Sequence, residues 1–207
     1  EGKYFRGKQV LETLDGAPVT TPVFAREAMQ FLDANRSKPF FLYLPFNAVH
    51  APHDASARWL DKYAHITDRR LRAYAGMIAE LDDAIGAVMG RLRAHKLEEN
   101  TLVFCIGDNG GAAMQAEMGG LRGRKWTLYE GGIRVPFLVQ WKGRIPAGRV
   151  SPEPVIQLDV LATSLAAAGG KPLGDRTLDG ANLLPLLEGK SRTTGRDALY
   201  WRYGPQY

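Results

Sequence analysis

The run Asn100-Thr101-Leu102-Val103-Phe104-Cys105-Ile106 delivers an acid and an amide, Asp108 and Asn109, onto a turn rich in glycine (Gly107, Gly110, Gly111). A β-favouring apolar run packed on both faces holds its backbone still, and glycines let the chain bend sharply where it ends. In open α/β sheets the carboxyl end of a strand is where ligands bind. Two adjacent oxygen donors there suit a hard cation such as Ca²⁺, with Mg²⁺ as the alternative. Asp-Asn-Gly is also a turn signal in its own right, so both readings stand on this segment alone.

Two further loops carry polar residues beside apolar strands. Asn47 and His50 follow Phe40-Phe41-Leu42-Tyr43-Leu44, and Lys125 and Glu130 precede Val135 to Trp141. A parallel sheet brings such loops to one rim. Two oxygen ligands, a His and a Lys then suit an anionic tetrahedral group. The cation binds its oxygens, Lys neutralises charge, and His trades a proton with the leaving oxygen. Taken singly, a His in a Pro-rich loop is more often structural, and a Lys is usually solvated. Arg122, Arg124 and Lys125 form a local cationic cluster, fit for an anionic ligand or for a solvated loop.

The elements that must position these residues are legible from periodicity. Thr20-Thr21-Pro22 starts a helix running to about Asn35, with the hydroxyls available as caps and Pro tolerated in the first turn. Phe24, Ala28, Phe31 and Leu32 lie on one face, and Phe40–Leu44 reads as a continuous apolar strand. A longer helix spans about Thr67 to His95. Its stripe is Leu71, Tyr74, Ala75, Ile78, Leu81, Ile85, Val88, Met89 and Leu92. Asp82 and Asp83 on it point about 100° apart and read as solvated or capping charges rather than a convergent pair. Strands at Thr101–Ile106 and Val135–Trp141 flank a long Gly-rich loop, 107–134, of a length that tends to be functional. A helix from about Gln157 to Ala168 and a short one near 183–187 follow, and residues 1–19 read as loop or short edge strands. Alternating helices and apolar strands predict an α/β fold with a mainly parallel sheet flanked by helices.

Composition narrows the class. The 207 residues are 45% hydrophobic and 24% charged, ordinary for a globular chain able to bury a real core. The net charge of +5 comes from scattered basic residues, which gives no case for nucleic acid. One cysteine excludes an internal disulfide framework and a multi-cysteine zinc site. Cys105 inside its apolar run reads as a small buried hydrophobe. No run is long and apolar enough for a membrane span.

Five segments, in order, resemble the formylglycine-dependent sulfatases, arylsulfatase-like members of the alkaline phosphatase superfamily. Pro39-Phe40-Phe41-Leu42-Tyr43-Leu44-Pro45-Phe46-Asn47-Ala48-Val49-His50-Ala51-Pro52 is similar to that family's strand and His loop. Tyr74–Ile78 with Leu81-Asp82-Asp83-Ala84-Ile85-Gly86 resembles its central helix, and Asp108-Asn109-Gly110 its metal-binding strand end, where Gly107 replaces the usual Ser. Gly123 to Pro136 is similar to its Lys-containing loop, and Leu158-Asp159 with Asp179-Gly180 continue the match. The resemblance implies an alkaline-phosphatase-like fold and hydrolysis of sulfate esters with one divalent cation, usually Ca²⁺. By position, Asp108 and Asn109 would be metal ligands, His50 would contact the sulfate and assist departure of the alcohol, and Lys125 would bridge a sulfate oxygen and the leaving oxygen. The expected partner is a sulfate-ester small molecule or a sulfated glycan. The family's compartments are the periplasm, the cell exterior and the lysosome.

The family's formylglycine nucleophile arises from the Cys or Ser of a Cys/Ser-x-Pro-x-Arg motif, which these residues do not contain: Cys105 is followed by Ile-Gly-Asp-Asn. The upstream Asp ligands are absent as well. Residues 1–207 are therefore expected to be a partial sulfatase catalytic domain, incomplete at both ends, and inactive by themselves because the missing groups act as a unit. Two other readings compete: a phosphodiester or phosphonate-ester hydrolase on the same scaffold, and a non-catalytic protein that binds sulfated glycans. Trp59, Trp126, Tyr129 and Trp201 could stack on a sugar or aryl ring or serve the core equally well.

Overall fold

The computed structural model describes residues 3–13, 19–112 and 116–204. The chain divides into two compact units, Glu1–Lys96 and Leu97–Tyr207.

The first unit opens with β1 (Lys3–Arg6) and β2 (Gln9–Thr13), an antiparallel hairpin with a register shift at Tyr4/Phe5. Within residues 14–18 nothing is described. Helix α1 (Thr20–Asn35) follows, with bounds matching the sequence pattern. Its start corrects the capping expectation. Val19 occupies the cap position without a side-chain hydrogen bond, and Thr21 is buried with Ala25, Ala28 and Leu32. A packed hydroxyl on the core face cannot also turn back to cap the first turn.

Helix α2 (Ala57–Lys62) lies between the segments that the sequence pattern assigns, and α3 (Arg69–Ala94) is the long helix. Asp68 starts α3 by accepting from the amides of Arg70 and Leu71, and those two bonds hold its carboxyl below the ordinary range. The fully buried line of α3 is Gly76, Met77, Glu80, Ala84 and Leu92. That corrects the expected stripe: Leu71 and Ile78 are exposed, because α2 docks where α3 is narrowest. Ala55, Trp59 and Met77 form this cluster, and a Cβ at Gly76 would stand 2.9 Å from that of Ala55. Asp83 is exposed and pairs with Arg58, as a solvated charge should. Packing of α1 on α3 is fastened by Asp33, which meets His95 Nε2 at 2.6 Å and Arg91 Nε at 3.6 Å.

Phe40–Leu44, expected as a strand, forms no ladder among the described residues; Phe41 and Tyr43 are exposed and Phe40, Leu42 and Leu44 half-buried. The second unit holds β3 (Val103–Ile106) and β4 (Phe137–Gln140), paired antiparallel with Cys105 opposite Leu138. Both ladders among the described residues are thus antiparallel, and the parallel pairing expected between strand segments is not among them. The partner of β3 is β4, which returns across the long loop within the same unit and runs antiparallel to it. One face of that ladder is open, leaving Cys105 exposed and Leu138 59% accessible, which corrects the buried reading of Cys105.

The remaining elements are α4 (Glu130–Ile133), α5 (Asp159–Ala167) and α6 (Leu184–Leu187). Asp159 and Thr163 of α5 are completely buried and organise what surrounds them. Asp159 accepts from the amides of Ile156 and Ala181 and takes the Arg196 guanidinium bidentately at 2.6 and 2.8 Å. Thr163 accepts from the amide of Leu183, which is itself buried at the start of α6. A Cβ at Gly180 would collide with the Leu158 carbonyl, so the Asp179-Gly180 segment serves close packing.

Candidate active site

Asp108 and Asn109 stand immediately beyond β3, at its carboxyl end, as the sequence places them. Asp108 is exposed and Asn109 half-buried. The turn is held by backbone bonds: Gly107 N–H donates to the Pro136 carbonyl at 3.0 Å, and Gly110 N–H to that of Gly132 at 2.9 Å. Gly107 has a steric reason as well, because a Cβ there would lie 3.2 Å from the Val135 Cβ. Asn109 Nδ2 donates to the Gly110 carbonyl at 2.9 Å, which fixes the amide and turns its Oδ1 away from that bond.

Lys125 is brought to the same scaffold. Its amide donates to the Gly111 carbonyl at 3.2 Å, and Gly131 N–H donates to the Arg122 carbonyl at 2.7 Å. The packing is so close that a Cβ at Gly110 would strike the Gly131 carbonyl, and one at Gly131 the Gly123 carbonyl. Glycine is required at these positions by backbone-to-backbone approach. The long loop is therefore a braced structure where described, and residues 113–115 lie outside the described residues. Glu130, by contrast, pairs with Arg134 at 2.9 Å as an exposed i,i+4 bridge, a minor helix support.

His50 belongs to the first unit. It is exposed, its amide donates to the Asn47 carbonyl at 2.8 Å, and Ala48 and Val49 before it pack on the Ala55–Trp59–Met77 cluster. His50 Nδ1 lies 2.7 Å from the Ala51 carbonyl. A carbonyl only accepts, so Nδ1 carries a proton and Nε2 is left for other partners.

Sequence reading missed Gln157. Its Nε2 donates to the Gly107 carbonyl at 3.1 Å and reaches that of Asp108 at 3.4 Å, tying the start of α5 to the candidate metal turn. Nothing in its type or spacing gives this away, since the bond spans fifty positions.

Asp108 and Asn109 offer the hard oxygens that Ca²⁺ or Mg²⁺ prefers, so the donor chemistry fits a divalent cation. They fill only part of a shell that takes six to eight oxygens. No cluster of three His, Cys, Asp or Glu suited to a metal exists among the described residues. Formylglycine does not fit this chain: its one cysteine, Cys105, sits in the middle of β3 and not in the required motif.

Comparison with solved structures establishes the class. The chain superposes on the crystal structure of Ps i-CgsB with a TM-score of 0.80 and 34% identity, over 86% of this chain and 40% of that one. PsFucS1 sulfatase from Pseudoalteromonas sp. matches with a TM-score of 0.72 and 27% identity, over 83% and 35%. The architecture is the alkaline-phosphatase-like α/β fold. Residues 4–170 match the Sulfatase family, and the chain belongs to it. Human N-acetylgalactosamine-6-sulfatase is 41% identical over 189 residues, and mouse steryl-sulfatase 36% over 185, covering 88% and 85% of this chain. The chain spans about a third of the length of these curated relatives, 35% and 29%.

Proposed function

We propose that the whole protein carrying this chain hydrolyses sulfate esters of carbohydrates. The observation that carries this reading is the bracing of the Asp108–Asn109 turn against the Lys125 loop in a chain of the Sulfatase family. The carboxylate of Asp108 and the Oδ1 of Asn109 contribute oxygens to a Ca²⁺ site, with Mg²⁺ as the alternative. When bound, that cation supplies charge neutralisation for sulfate oxygens. Lys125 offers three donors to the same anion and to the oxygen that leaves with the alcohol. By the family resemblance His50 is the acid expected to assist departure of the alcohol; with its Nδ1 proton committed to the Ala51 carbonyl, the proton it gives up is the Nε2 proton of the doubly protonated ring.

The 207 residues form part of the catalytic domain, and the nucleophile and further metal ligands come from elsewhere in the protein. By themselves these residues are inactive and bind Ca²⁺ weakly. The name N-acetylgalactosamine-6-sulfatase and the structure of Ps i-CgsB in complex with k-i-k-neocarrahexaose favour a sugar as the esterified alcohol. The family's usual compartments, periplasm, cell exterior or lysosome, are the expected location. No helix among the described residues is long and apolar enough to cross a membrane.

The deciding experiment compares the whole protein on N-acetylgalactosamine 6-sulfate and on a phosphate diester. Sulfate release with little diester cleavage is expected. Preferential diester cleavage would move the chemistry to the phosphodiesterase reading, and binding without turnover of either would leave a glycan-binding protein.

A further inference from the structure

Arg124, Lys125, Trp126 and Thr127 make a tight turn whose Thr127 amide donates to the Arg124 carbonyl at 3.1 Å. The third residue of the turn, Trp126, has φ of 70°, a position that a type II turn normally gives to glycine. A bulky side chain in the left-handed region is a genuine outlier, and such strain persists only where the surroundings impose it. They do so here. The Thr127 hydroxyl donates to the Arg124 carbonyl at 2.8 Å and lies 3.2 Å from the Arg124 amide, closing the turn a second time. Its base rests on α4, where a Cβ at Gly132 would strike the carbonyls of Thr127 and Arg124.

What the strained position gains is not burial, since Trp126 is 57% exposed. It gains a place beside Lys125, whose Nζ lies 5.7 Å from the centre of the indole ring. The apex of the turn thus presents an ammonium and a broad apolar ring side by side. In a sugar sulfate the anion and the ring carrying it are a bond or two apart, so one monosaccharide can engage both groups.

We propose that Trp126 is a specificity-determining residue that stacks on the C–H face of the sugar whose sulfate Lys125 holds. This rests on the sulfate-ester reading of the Lys125 site. The electron-rich indole face suits the weakly positive C–H groups of a pyranose, and a rigid aromatic loses little conformational freedom in the contact.

The test is calorimetric titration of the whole protein with N-acetylgalactosamine 6-sulfate and, separately, with inorganic sulfate, in wild type, Trp126→Phe and Trp126→Gly. Wild type should bind the sugar sulfate about tenfold more tightly than Trp126→Gly does, the order expected of one aromatic contact. Trp126→Phe should keep most of that affinity, and all three should bind inorganic sulfate alike. Because glycine suits this φ, Trp126→Gly should melt no lower than wild type. Equal sugar-sulfate affinities, or no sugar-sulfate binding by wild type, would overturn the proposal. Equal losses for both ligands would also overturn it, making Trp126 a positioning residue for Lys125. A clear fall in melting temperature would make it a packing residue instead. The expected binding pattern without hydrolysis of any sulfate ester would remove the sulfatase reading alone and leave sugar recognition standing.

Discussion

Asp159 and Asp108 lie in the same unit, and both fall in segments that match the family. Asp159 is completely buried, and its two oxygens accept from two backbone amides and both terminal nitrogens of Arg196. Asp108 is exposed, and among the described residues its carboxylate has no hydrogen-bond partner; Gln157 reaches only its carbonyl. A saturated buried acid holds a scaffold, because every lone pair is committed and losing a partner strands a charge. An acid held still through its backbone, with its oxygens open, is placed for a ligand. The two residue types are identical, and only the surroundings separate a staple from a candidate site.

The largest effect should come from breaking the staple. Arg196→Ala strands the Asp159 carboxylate and is expected to cost about 3–5 kcal/mol, read from urea unfolding. The loss should be sub-additive when combined with Asp159→Ala, since the two share one interaction. Asp108→Ala sharpens the contrast from the other side. It should lower turnover of a sulfate ester about 10²- to 10³-fold while leaving stability within about 0.5 kcal/mol. A stability loss like that of Arg196→Ala would show Asp108 to be scaffold too. Gln157→Ala stands between the two: about 1 kcal/mol in stability and about tenfold in kcat/KM, through a loosened turn.

The smallest effect concerns Asp33. The hydrogen bond from His95, followed by burial acting in the opposite sense and then the charge of Arg91, leaves its carboxyl below the ordinary 3.8. A depressed acid contributes stability that is fully present above its unfolded value and is lost as pH falls through its folded value. The melting-temperature difference between wild type and Asp33→Asn should therefore shrink toward zero as the solution is taken below about pH 4. A difference that grows on acidification would reverse the assignment.

Much of this was legible in the chain itself. The bounds of α1, the position of the Asp108–Asn109 turn and the polar face at Asp83 follow from spacing, because each is a local pattern. Docking of α2 on Gly76, the open face that exposes Cys105, and the antiparallel β3–β4 pair depend on partners distant in sequence. Periodicity does not encode such partners. Gln157 and Arg196 were missed for the same reason: each acts over a separation of tens of residues. In the sequence Trp126 is one aromatic ring among several, and its φ of 70° shows only in the folded turn.

The central claim, that the braced Lys125 loop is a sulfate-ester site, is tested most directly by sulfate release from N-acetylgalactosamine 6-sulfate. The assay pairs wild type with Lys125→Ala of the whole protein, with melting temperatures recorded alongside. The expected result is release by wild type and a loss of about 10²-fold or more in kcat/KM for Lys125→Ala at an unchanged melting temperature. Equal release by both proteins, or none by wild type, would contradict it.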